Sequence, residues 1–193
     1  MPKAKQSMRL TSVCALFVFA CQTLYAGDAE KSRAGDLVKH WQILKGLSLA
    51  IAEAIPENAY SSKSPHAGLD PNVSGPDIMG SLALANVLSC SIALGTPVPA
   101  RFRSAFDRPM DSTKTGVIKS LTAAYDYCID GLERMTDADL FAMTPRGFKG
   151  HPATKFDIFW DAFAHSAHGL GQADLYLRLK GITPPDAGPG FEF

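Results

Sequence analysis

The side chains best suited to chemistry in this 193-residue chain lie near its C-terminal end. His165 and His168 are three residues apart, so on a helix their imidazoles share a face. Neutral imidazole is a common ligand of divalent metals such as zinc or nickel. A cation held that way with a position open acidifies a bound water or thiol, which suits transfer or hydrolysis. Further ligands would come from elsewhere, and His40, Cys90 and Asp161 are the candidates. The competing reading is a polar pair at the mouth of a bundle, hydrogen-bonded and without a cofactor.

Other features point less sharply. Phe156, Phe159, Trp160 and Phe163 precede the histidines. At helical spacing they read as core packing, with the lining of an apolar pocket as the alternative. Gly169 and Gly171 each weaken a helix by roughly 1 kcal/mol, which implies close packing or a cavity beside them. Arg101, Arg103 and Arg108 could meet an anion but read as a solvated loop face, and His66 and His151 fall in Pro/Gly-rich loops. No serine-nucleophile elbow, phosphate loop, dinucleotide fingerprint or CxxC pair occurs.

Four amphipathic segments would position these residues. The first runs from Gly35 to Ile55, with Leu37, Trp41, Leu44, Ser48 or Leu47, Ile51 and Ile55 on one stripe, and Pro56 ends it. The second, Pro76 to Leu94, is apolar on most faces and is expected to be the most buried. Pro76 suits its first turn and Gly95 its end. The third spans Thr113 to Met135, with Val117, Leu121, Ala124, Cys128, Leu132 and Met135 on its stripe. Thr136 and Asp139 have capping-box spacing for a short turn over 137–142. The last runs from Lys155 to Lys180, and a frayed tail occupies 186–193. No alternating β pattern competes, and the class is an all-α four-helix bundle.

The links are long. About 17 residues join helices two and three, a reach on the order of 50 Å. Helix two is only about 28 Å long, so the chain can cross back and begin helix three parallel to it. That arrangement puts Cys90 and Cys128 at similar heights, favouring a disulfide over two buried thiols.

The formal net charge of zero averages two unlike parts. Lys3, Lys5 and Arg9 precede the apolar run Leu10 to Ala26, which reads as a secretory signal over 1–26, cut after Ala26 despite Leu24 three residues before the cut. A lipoprotein signal ending at Cys21 is the alternative. The expected domains are this signal, a bundle over 27–185 and the tail. Without the signal, 16 basic and 19 acidic residues remain, which leaves no electrostatic footprint for nucleic acid. No second apolar stretch long enough to span a bilayer is expected. The expected location is periplasmic or extracellular.

The run from His165 to Pro185, with Gly171-Gln172, Tyr176, Arg178, Gly181 and Pro184-Pro185, resembles the final helix of the DinB-like superfamily. These are four-helix bundles related to bacillithiol S-transferases and mycothiol-dependent maleylpyruvate isomerases. Ala85-Asn86 followed by Cys90, and the pair Tyr127-Cys128, resemble a secreted branch of it. The resemblance covers most of residues 35–185 and implies up-down-down-up topology with long crossovers. It reads Gln172 as polar lining and Arg178 as a structural or rim residue.

The resemblance also implies a metal triad of one histidine on helix two and two on helix four. Here those positions hold Ser81, His165 and Gly169, so two of three ligands are replaced. The implied role is an exported bundle with a degenerate metal site that binds a small molecule or a protein partner, and family members dimerise through helix faces. The alternative is a divergent metal-dependent transferase or hydrolase using a shifted His165/His168 site. Low-molecular-weight thiol cosubstrates are largely cytosolic, which weighs against that alternative for an exported chain.

Overall fold

The computed structural model describes residues 32–60, 75–107, 113–145, 147 and 150–186. The signal, His66, Arg108 and residues 187–193 of the tail lie outside them. Four long helices carry the architecture: α1 (Arg33–Ala54), α3 (Gly75–Leu94), α5 (Lys114–Glu133) and α7 (Lys155–Leu179). Shorter pieces lie between them: α2 (Glu57–Tyr60), α4 (Ala100–Asp107) and α6 (Asp137–Leu140).

Local chemistry sets the boundaries. Thr136 with Asp139, and Thr154 with Asp157, form reciprocal capping boxes at the starts of α6 and α7. Gly95 and Gly181 close α3 and α7 in the left-handed region, at φ 66° and 73°. The first amides of α1 are satisfied from afar, because Asp137 accepts from the backbone N–H of both Arg33 and Ala34. One expectation needs correcting: Met143–Thr144 (β1) pairs antiparallel with Ala153–Thr154 (β2). Two residues per strand are too few to show an alternating pattern in sequence.

Side-chain pairings fix the helix directions. Lys45 meets Asp126 and Lys114 meets Glu53, so α1 and α5 are antiparallel. A disulfide joins Cys90 to Cys128, with Cα atoms 5.5 Å apart, and further along both helices Leu94 lies against Gly131, so α3 and α5 run parallel. Ser166 bonds Asn86, and Gly75 lies against the Tyr176 ring, so α7 opposes α3. The order is up-down-down-up, with α4 inside the crossover between α3 and α5. Phe102 of α4 is buried, whereas Arg101 is exposed, stacked on that ring and bonded to the Ala123 carbonyl.

The core follows the sequence stripes. Leu37, Trp41, Leu44, Ser48 and Ile51 of α1 face inward, so Ser48 and not Leu47 continues the stripe. Thirteen of the twenty residues of α3 are buried, the largest share among the long helices. By length and composition α3 could cross a membrane, which corrects the expectation that no such stretch follows the signal. However, 61% of that stretch is buried inside the bundle, as a core helix requires.

Candidate functional site

The inward stripe of α7 is Phe159, Ala162, Ser166, Gly169, Ala173 and Tyr176. The small residues at its middle let neighbouring helices approach. At Gly169 an added Cβ would lie 2.7 Å from Leu82 Cδ2, so any side chain there would have to push the Leu82 methyls aside. At Gly171 an added Cβ would meet nothing within 4 Å. The two glycines therefore answer to opposite causes, close packing at one and open space at the other.

A polar layer crosses the centre of the bundle, with one residue from each long helix. Ser48 of α1 donates to the Leu44 carbonyl and lies 2.6 Å from the Tyr125 hydroxyl of α5. Ser166 of α7 donates to Asn86 Oδ1 of α3 at 2.8 Å. Burial holds the Tyr125 hydroxyl above the usual tyrosine range, against the opposing pull of the neighbouring polar side chains of Ser48, Ser166 and Asn86. Asn86 Nδ2 and, further along, Trp41 Nε1 have no partner among the described residues. This layer was missed in sequence because Ser, Asn and Tyr break apolar stripes without marking a motif. The signal available was their placement at core positions of four separate stripes.

Space opens on the other flank of α7. Trp41 and Phe159 meet edge to face at 6.1 Å, and beyond that contact α1 and α7 leave a cleft of about 590 Å³. Leu44, Leu47, Ile51 and Leu170 supply aliphatic lining, and Ala167 and Gly171 keep the wall low. Arg178 and Asp174, paired at 2.9 Å, stand at one edge, and Pro184, Pro185 and Asp186 line another. Size, apolar lining and a few polar groups are what a small-molecule site requires. Arg178 is thus a rim residue, and Gln172 is half-buried.

No protein-family model and no curated protein matches the chain. Solved structures do. The DinB-like protein YjoA of Bacillus subtilis superposes with a TM-score of 0.60 at 18% identity, over 79% of this chain and 96% of that one. A DinB-like protein of Bacillus cereus gives 0.62 at 16% identity, over 78% and 94%. The chain has a DinB-like fold. At these identities the likeness extends to the path of the backbone and not to a reaction.

Within this DinB-like bundle the residues proposed as ligands are dispersed. His165 and His168 are both exposed on α7, and His40 and Asp161 are exposed as well. Cys90 is committed to the disulfide. Ser81 is exposed on α3 and donates to the Ile78 carbonyl of its own helix. The Gly169 position is occupied by Leu82 from the facing helix. Among the described residues no group of three His, Cys, Asp or Glu side chains comes together. Two exposed imidazoles and a serine turned onto its own backbone do not fit a three-ligand centre.

Proposed function

We propose that this chain is an exported DinB-like bundle that binds a small amphipathic molecule in the cleft between α1 and α7, with a metal site that has degenerated. The observation that carries this reading is the aliphatic cleft with a charged rim, set against ligand positions that have lost their donors. Shape and apolar contact do the binding, and the Arg178–Asp174 pair orients the polar end of the ligand. Export rests on the basic and apolar start of the chain and on a buried disulfide, a bond that persists in oxidising compartments.

The test uses Gly171→Leu in the mature protein. Leucine fits the open space at this position and favours helix over glycine by roughly 0.8 kcal/mol, so the variant folds at least as stably. Binding of a neutral polarity-sensitive dye should fall at least about tenfold, because the new side chain projects into the apolar volume. Unchanged dye binding would overturn the cleft reading. Stoichiometric retention of zinc or nickel by the purified wild-type protein would replace it with the metal-dependent alternative.

A further inference from the structure

The outer edge of α7 carries a feature that the cleft does not use. Phe156, Trp160 and Phe163 stand on one stripe, their neighbouring rings 6.2 and 5.7 Å apart and tilted by only 11° and 15°. Phe141 extends the row at 5.4 Å beyond Phe156, and the His40 imidazole of α1 meets Phe163 edge-on at 6.3 Å. Sequence spacing alone suggests that all four aromatics of 156–163 pack in the core. Only Phe159 does so fully; Phe156 and Phe163 are half-buried, and Trp160 and Phe141 are each 50% exposed. Single exposed apolar residues are ordinary, but a contiguous row of rings is not.

The row is also held in place. Phe141 is fixed by the α6 capping box, by the bond from Lys155 N–H to the Ala142 carbonyl, and by the two-residue ladder of β1 and β2. Helix α7 fixes three rings, and α1 contributes the His40 edge. Binding to such a surface orders little that is not already ordered.

Charge decides the occupant. Asp157 and Asp161 are exposed on the adjacent stripe of α7, and Asp139 is exposed at the Phe141 end. Among the described residues, the basic groups on the packed elements include Lys155, half-buried and near Asp139, Arg33 at the start of α1, whose N–H bonds Asp137, and the exposed His40. The carboxylates of Asp137, Asp139, Asp157 and Asp161 therefore outnumber the cations Arg33 and Lys155, and aromatic faces add their own negative potential. Among the described residues the chain's own cations stack elsewhere, Arg101 on Phe102 and Lys180 on Tyr176. We infer that the Phe141–Phe156–Trp160–Phe163 row is a binding surface for an organic ammonium ion with apolar substituents, separate from the α1/α7 cleft.

The probe pair is choline and its neutral isostere 3,3-dimethylbutan-1-ol, titrated into the mature protein while the Trp160 indole N–H is followed by NMR. Choline should produce a saturable shift with a millimolar dissociation constant, and the isostere should bind at least about threefold more weakly, the size of one exposed cation–π contact. Trp160→Ala should abolish the choline response, read at the Phe156 and Phe163 ring signals. Trp160→Tyr should retain it, and Asp161→Asn should weaken it about twofold through the loss of one exposed charge. Dye binding in the cleft should be untouched in Trp160→Ala, which shows that the variant is folded and keeps the two proposals separable. Equal affinity for choline and the isostere would reduce the row to an apolar patch. A choline response that survives Trp160→Ala, or no saturable response, would overturn the inference outright.

Discussion

The two flanks of α7 are built from the same residue types and do opposite things. Toward α3, Gly169 brings the helices so close that Leu82 fills the place of its side chain, and Ser166 reaches Asn86 across the interface. Toward α1, only two residues along, Gly171 faces open space and the wall falls away into a cleft. A glycine in a helix costs roughly 1 kcal/mol at either place. On the closed flank the cost is offset by packing between helices, and on the open flank by nothing within the fold. The ligand reading sits on the α1 side because that is where the space lies.

The sharpest way to stress this contrast is to loosen the closed half. The disulfide holds α3 to α5 and spans 38 residues of sequence. Replacing Cys90 and Cys128 together by alanine should lower unfolding free energy by about 4 kcal/mol in urea titration. Dye binding in the cleft should persist at low temperature, since no cysteine lines it. Loss of dye binding in the still-folded variant would show that the two flanks are coupled.

A smaller effect probes the interface directly. Gly169→His, alone or with Ser81→His, should cost about 3 kcal/mol by forcing Leu82 aside. It should also gain no tight zinc or nickel binding, because Ser81 and His165 are exposed. Tight metal binding by the double variant, measured calorimetrically, would mean that the triad positions converge after all.

The smallest effect lies in the polar layer between the flanks. Tyr125→Phe should cost about 1 kcal/mol, since Ser48 keeps its bond to the Leu44 carbonyl. Burial raises the tyrosine pKa above its ordinary value of 10.0. Below that pH the hydroxyl is neutral in both folded and unfolded chains, so its contribution is fully present. As pH rises further the unfolded chain ionises first, and stability falls. Denaturation midpoints between pH 9 and 11, values chosen around the tyrosine range, should therefore decline less steeply in Tyr125→Phe than in the wild type. Parallel declines would assign the alkaline loss to other groups, among them Tyr60 and Tyr176, which burial shifts the same way.

The four long helices and their caps were legible in the sequence because each depends on short-range pattern. Thr154 with Asp157, Gly95 after Leu94, and the stripe from Leu37 to Ile51 all satisfy local rules that tertiary contact has no reason to override. The disulfide was within reach because a long crossover sets α3 parallel to α5. The site was far less legible. Spacing shows that His165 and His168 share a face, yet the inward face of α7 runs one position further on, through Ser166 and Gly169. The four-aromatic run failed in the same manner, with one ring inside and its neighbours along the edge.

Sequence by itself thus determined where the four long helices start and stop, since hydrogen-bond caps and apolar periodicity are properties of neighbours along the chain. The short helices α2 and α4, with Arg101 and Arg103 on a helix and not a loop, were not read from it. Only the tertiary structure decided how far each helix is rotated about its axis. That rotation is set by the fit of all four helices at once, and a turn of 100° moves a histidine from the core to solvent. It placed a leucine where a ligand was expected, opened a cleft beside Gly171 and left a row of rings on the surface.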